Sequence, residues 1–424
     1  MNELGYKLYL LFTVSWFLHL AARIPVLGAI RFDLLLAALL IVLAYVSRST
    51  AGQDRRNEIE RLLLILIVYA FMTFPISRWP GTVIKSGFPM LIKAVVFYYF
   101  TVAFITSEKR LKAFLFVYIA CQTIRVLEPL YLHVTQGYWG SVASMMGGTE
   151  FMMRLSGAPS DTVNPNGLAA VIFSVIPFLY FYSSLSWKHK LAAFVLIPPL
   201  IYAMVLTGSR SGLIGLIIIL AGIVYKSSRK ALLVPLMVVA AVVVFLGLSP
   251  DQQDRYLSIV KSDTKHGETA HERVTGIEDN LKLFMKRPIF GFGLGTGQEA
   301  NYNYGFADLP PHNLFMDVGI QLGIFGIIIF FLFVKAIVTN FFSSYRIIKQ
   351  RLKEKTFLLK TTEALQILIV VEIIFSFGSY GLLIPSWYFL AGLSIVLISL
   401  SNIVPGESEA IKAMPATVIG SGAR

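Results

Sequence analysis

The chain has 424 residues, 56% of them hydrophobic and only 14% charged, with a formal net charge of +13. A soluble domain carries roughly a quarter charged residues and cannot bury this much apolar surface, so the composition excludes a soluble fold and points to an all-α integral membrane protein surrounded by membrane lipids. The positive excess is spread over many short connections, as the positive-inside bias produces, and nucleic acid is excluded as a partner on that ground.

Taken in chain order, twelve apolar stretches are predicted as membrane-spanning helices, since about 20 apolar residues cross a hydrocarbon core of about 30 Å. They fall at 6–22, 33–48, 61–77, 88–106, 111–132, 165–185, 189–206, 210–226, 230–248, 313–340, 362–380 and 384–402. The first reads as a retained span and not as a cleaved leader. Domain organisation follows: five spans over 1–132, a loop over 133–164, four spans over 165–248, a long loop over 249–312, three spans over 313–403 and a polar tail over 404–424. One set of connections is short and basic, with Arg48, Arg55 and Arg56, then Lys109, Arg110 and Lys112, then Lys188 and Lys190, then Lys226, Arg229 and Lys230, and finally Arg351, Lys353 and Lys355. The positive-inside rule puts that set, both termini and the tail in the cytoplasm.

The two long loops share the opposite face and are rich in Gly, Pro, Asn and Asp, where function sits on a rigid scaffold. Within the second, a surface helix is expected over 272–285, with Ile277, Leu281 and Phe284 on one face. Cys121 is the sole cysteine, which excludes a disulfide framework, and the six histidines form no closely spaced ligand pair, so neither a metal nor another cofactor is expected.

Three segments on this outer face carry the chemistry. LTGSRSGLIG at 206–215 places Arg210 at the mouth between two spans, where positive-inside bias disfavours an arginine. HERVTGIEDNLKLFMKRPIFGFGLGTG at 271–297 opens on Arg273 and ends in Gly291, Gly293, Gly295 and Gly297, a spacing that is not the dinucleotide fingerprint and reads as a tight returning loop. PPHNLFMDVGIQLGIFG at 310–326 sets His312, with Asn313 beside it, at the start of a long helix, a position that favours the neutral, proton-accepting ring. Guanidinium groups bind phosphate bidentately at any relevant pH. Arg210 and Arg273 are therefore candidates for holding a diphosphate leaving group, and His312 for deprotonating an attacking hydroxyl.

These segments resemble the O-antigen ligase and O-antigen polymerase superfamily. The resemblance rests on SR-x-G at Ser209–Gly212, on the Arg273 helix leading into P-x-x-G-x-G at Pro288–Gly293, and on H-N-x9-G from His312 to Gly323, the last tilting it toward the ligases. It covers about 150–340; the Arg-x3-Leu often seen at the second arginine is Arg273-x3-Ile277 here, and an expected aromatic residue shortly after is absent. The resemblance implies a metal-independent, inverting glycosyltransferase of GT-C type in the bacterial inner membrane. It would move glycan from an undecaprenyl diphosphate donor to a lipid A–core hydroxyl at the periplasmic face. It further implies that Arg154, Asn166 and Asn313 touch the donor or its diphosphate, with Asn164 in the same NPNG segment. A polymerase or a protein O-oligosaccharyltransferase shares this chemistry with another acceptor, and a lipid-glycan transporter is the alternative from a different class. Arg125 and Glu128, three apart in the fifth span, are expected to form a helix-internal ion pair, and Glu372 lies inside the eleventh.

Overall fold

The structure, a computed structural model, describes residues 2–50, 57–140, 153–227, 229–257, 268–306, 311–352, 356–379 and 381–403. The expected tail over 404–424 lies outside the described residues, as do the side chains of 268–274, Arg273 among them. No strand occurs among the described residues.

The long helices are α1 (Asn2–Phe17), α2 (Phe32–Thr50), α3 (Glu58–Thr73), α4 (Phe88–Phe104), α5 (Glu108–Gln136), α6 (Pro165–Tyr182), α7 (Trp187–Leu206), α8 (Arg210–Lys226) and α9 (Lys230–Leu246). Three shorter or flanking helices follow, α10 (Pro250–Leu257), α11 (Glu268–Lys286) and α12 (Gly297–Asn303), and then α13 (Leu314–Arg351), α14 (Phe357–Phe375) and α15 (Pro385–Ile403). Every stretch read as a span holds a helix, and seven of the described helical segments are long and apolar enough to cross a membrane. The protein is thus an all-helical integral membrane protein.

Side-chain caps fix where these helices begin, because the first amides of a helix have no partner within it. Ser107 accepts from the Arg110 amide at 3.3 Å, Asn164 from Gly167 at 2.8 Å and Ser209 from Gly212 at 3.1 Å. At the other end of α5, Gly137 adopts a left-handed conformation that closes the last turn. Small residues permit close packing without a solvent-driven force: at Gly392 of α15 a Cβ would lie 2.7 Å from that of Thr101 on α4. Helix α6 is the centre of the bundle, buried along almost its whole length against α5, α7, α8 and α14.

Two expectations need correction. Helix α13 runs 38 residues to Arg351 because its last turns bury Phe341, Ser344 and Ile348 and Arg351 donates to the Ser401 and Asn402 carbonyls at the end of α15, and it is broken at Gly323. Helix α11 turns Asn280 and Leu283 inward, whereas Ile277 and Leu281 are exposed. It packs on α13, where Phe284 lies against Gly319, and the stripe Ile277, Leu281 and Met285 faces away from the protein. The expected face of Ile277, Leu281 and Phe284 is therefore split: Phe284 turns to α13, while Ile277 and Leu281 face outward, as suits a helix lying along a membrane surface.

Candidate functional site

A cavity of about 480 Å³ opens at one end of the bundle, where the end of α1, the second half of α5, the start of α6, the end of α14 and the start of α15 meet. Its polar lining includes His19, Arg125, Asn166, His312 and Glu372, set among the rings of Trp16, Tyr118, Phe173 and Trp387. Two of the expected site residues, His312 and Asn166, are thereby brought to one space from segments 146 positions apart (312 minus 166).

Asn166 joins this cavity to the arginines. Its Oδ1 accepts from the Arg154 guanidinium at 2.9 Å and from the Ser209 hydroxyl at 2.9 Å. Arg154 Nε donates to the carbonyl of Thr207 at 2.7 Å, and Arg255 Nε donates to the next carbonyl, Gly208, at 2.6 Å. Gly208 is left-handed, with φ of 55°, and a Cβ there would lie 3.3 Å from Cδ and Nε of Arg255, so the turn can be glycine at little cost and hardly anything else. Arg210 follows directly, buried in the first turn of α8. Arg154, Arg210 and Arg255 are all below a tenth exposed. Tyr256, beside Arg255, donates to the Val205 carbonyl at 3.1 Å, and burial pushes its phenol up to about 12 against the opposing charges of Arg154 and Arg255.

Sequence reasoning passed over Arg255 and Tyr256. Arg255 carries the same sequence signal as Arg210, an arginine beside a span on the face expected to be poor in arginine. Arg273 lies in α11, and its side chain is outside the described residues.

His312 is placed by its neighbour. Asn313 Oδ1 accepts from the amides of Phe315 at 3.0 Å and Met316 at 3.2 Å, and its amide donates to the Phe377 carbonyl at 3.5 Å. Asn313 thus caps α13 and ties its start to the end of α14, and His312 projects from that fixed point into the cavity. Eleven residues on, Gly323 (φ 69°) breaks the helix and frees two carbonyls. The glycine loop takes them up: the amides of Phe292 and Gly293 donate to Ile320 and Gln321 at 2.8 and 2.9 Å, and Ile324 donates back to Pro288 at 2.8 Å. The expected tight returning loop is therefore a hydrogen-bonded interlock with the break in α13. Gln321 holds it further, accepting from the Gly295 amide at 2.7 Å and donating to the buried carboxylate of Asp317 at 2.6 Å.

The expected pair within α5 does not form. Arg125 binds Asp161 through two nitrogens, at 2.6 and 3.1 Å, and Glu128 binds Arg23 at 2.7 Å through its first oxygen. Three positions on a helix bring two side chains near each other, but here each takes a two-point partner from another segment instead. His19 Nε2 stands 3.8 Å from Asp161.

No curated protein matches the chain. Residues 194–331, which contain Arg210, Arg273, the glycine loop, His312 and Gly323, match the family model described as O-antigen ligase. That match covers about a third of the chain and supports a likeness to the O-antigen ligase and polymerase superfamily.

Proposed function

We propose that this protein is an O-antigen ligase that transfers glycan from undecaprenyl diphosphate to a hydroxyl of lipid A–core. Twelve helices, the seven long apolar ones among them, are its spans in the bacterial inner membrane, in a GT-C-type arrangement, with both termini cytoplasmic and the cavity on the periplasmic side. The reading is carried by one observation: His312 and Asn166 line one cavity, and Asn166 hydrogen-bonds to Arg154 and to Ser209, the residue before Arg210.

In this mechanism His312 takes the proton of the acceptor hydroxyl as its oxygen attacks the anomeric carbon of the donor. The new carbon–oxygen bond forms on the face opposite the breaking bond to phosphate, so the configuration inverts. Undecaprenyl diphosphate leaves with the bonding electron pair, its charge met by Arg210 and Arg273, which need no proton donor or metal for this. Arg154 and Asn166 complete the donor side, and Asn313 holds His312 in place.

Purified protein supplied with undecaprenyl-diphosphate glycan and lipid A–core in the presence of EDTA tests the reading. The expected product is glycan on lipid A–core, lost in Arg210→Ala, Arg273→Ala and His312→Ala variants that remain folded. Longer lipid-linked glycan formed without lipid A–core would make the protein a polymerase, and wild-type transfer by His312→Ala would remove it as the base. A strict Mg²⁺ or Mn²⁺ requirement would contradict the arginine-for-metal argument.

A further inference from the structure

Glu372 lines the cavity from the last turns of α14 and takes no part in the transfer mechanism above. The residue is 9% exposed. An ionisable group inside a span is costly in lipid and is kept where it faces a wet cavity and serves it. Among the described residues no cation pairs with Glu372. Arg125, which lines the same space, is held by Asp161 and by the Gln122 amide oxygen at 3.2 Å. The hydroxyl of Ser386, on α15, stands beside the Glu372 carboxyl group. A hydroxyl supplies one donor, whereas a carboxylate accepts at two oxygens with about four lone-pair directions between them. Acceptor capacity is therefore left open toward the cavity.

The surroundings select what can use it. Trp16, Phe17 and Phe375 line the same space half-buried, so ring surface remains open to it. A carboxylate repels phosphate from that wall, and the Arg125 guanidinium disfavours a cation. What fits is a neutral molecule with several hydroxyl donors and an apolar face, of a size that about 480 Å³ encloses. A pyranose ring has both, with hydroxyls around its edge and C–H groups on its faces. Resting on the transferase reading above, we infer that Glu372 binds a sugar ring of the substrate, accepting from its hydroxyls while an aromatic ring at the end of α1 or α14 packs on its C–H face. Glu372 is thereby a specificity residue, sensing which hydroxyls that sugar carries.

The test is saturation-transfer NMR on the full-length protein in a detergent without a sugar headgroup, which requires no glycan transfer. The probes are the methyl pyranosides of glucose, galactose and N-acetylglucosamine, with the monodeoxy analogues of each that binds. Wild-type protein binds at least one, and loss of one particular hydroxyl weakens that binding about tenfold, the usual worth of a hydrogen bond to a charged group. Glu372→Gln, which keeps the shape of the side chain, binds the parent sugar about tenfold more weakly and no longer distinguishes it from that analogue. Unchanged discrimination in Glu372→Gln would overturn the inference, as would absence of sugar binding by the wild type. A second measurement needs no variant: the bound sugar slows modification of Glu372 by an apolar carbodiimide, read by peptide mass, and undiminished labelling at saturating sugar would overturn it too. In the transfer assay Glu372→Gln raises KM for the lipid-linked glycan where the ring is the donor's and for lipid A–core where it is the acceptor's; no rise in either counts against Glu372. A wild type that binds sugar and transfers no glycan counts against the ligase reading alone.

Discussion

Asn313 and His312 show how a single backbone contact aims a functional side chain. The asparagine spends its carbonyl on two amides of α13 and its amide nitrogen on Phe377, so it cannot turn toward a substrate without giving up the cap. Its contribution to the site is to hold the residue before it. Asn313→Ala is expected to cost about 1 kcal/mol of stability, the usual worth of a cap, and to reduce turnover far more than donor KM because His312 loses its fixed origin. Asn313→Asp keeps an accepting oxygen and is expected to retain most of the turnover. Steady-state transfer kinetics on the two variants, together with thermal unfolding in detergent, check both statements. The proximity of Asn313 to His312 was legible in the sequence. Its commitment as a cap was not, because capping depends on the extended backbone of that residue (φ −150°, ψ 120°) and on where α13 begins.

Elements meet most tightly where α13 breaks. An unbroken helix would satisfy the carbonyls of Ile320 and Gln321 internally; with Gly323 left-handed they are handed to the glycine loop instead. The interlock tolerates no side chain: a Cβ on Gly323 would lie 2.1 Å from the Ile289 carbonyl oxygen, and one on Gly291 would lie 2.5 Å from the backbone of Gln321. Gly323→Ala is therefore expected to destabilise the protein by about 2 kcal/mol or more, through strain at positive φ and forced displacement of the loop. Gly276→Ala is the matched contrast. It sits in mid-helix in α11 with open space around it, and is expected to be neutral or to stabilise by up to about 1 kcal/mol. Thermal unfolding of the two variants in one detergent decides the matter. The sequence offered both glycine motifs separately, as a returning loop and as the glycine after H-N-x9. That they are two halves of one junction depends on α3, the loop and α13 being side by side: the Tyr69 hydroxyl of α3 donates to the Leu322 carbonyl at 2.9 Å across the same break.

Across the whole molecule, two ion pairs stitch the first turns after α1 and the loop before α6 onto α5. Asp161 is almost fully buried beneath Arg125, and so the 153–164 segment, which carries Arg154 and leads into Asn166 at the start of α6, is anchored by charge as well as by the Trp139–Ser156 backbone bond. Removing one partner of such a pair strands the other in low dielectric. Arg125→Met is expected to destabilise by about 3 kcal/mol, and the double variant Arg125→Met with Asp161→Asn to recover a large part of that loss. A double-mutant cycle followed by thermal unfolding measures the coupling, and additive losses would show the pair to be incidental.

The sequence by itself determined the class of molecule and its helices. Hydropathy and length are local properties, and in lipid every backbone polar group must be satisfied within its own segment, so each apolar stretch had one structure open to it. It also singled out Arg210, an arginine where positive-inside bias disfavours one, and His312 at the start of a helix, while Asn166 entered through the family resemblance. Only the tertiary structure decided which candidates share a space and what they touch. Arg125 prefers Asp161 to a neighbour three residues away, α11 turns its apolar stripe outward, and Arg255 reaches Gly208 across 47 positions of chain. Side-chain partners are chosen by geometry among all groups within a few ångströms, and that choice is made by the packing of helices far apart in sequence.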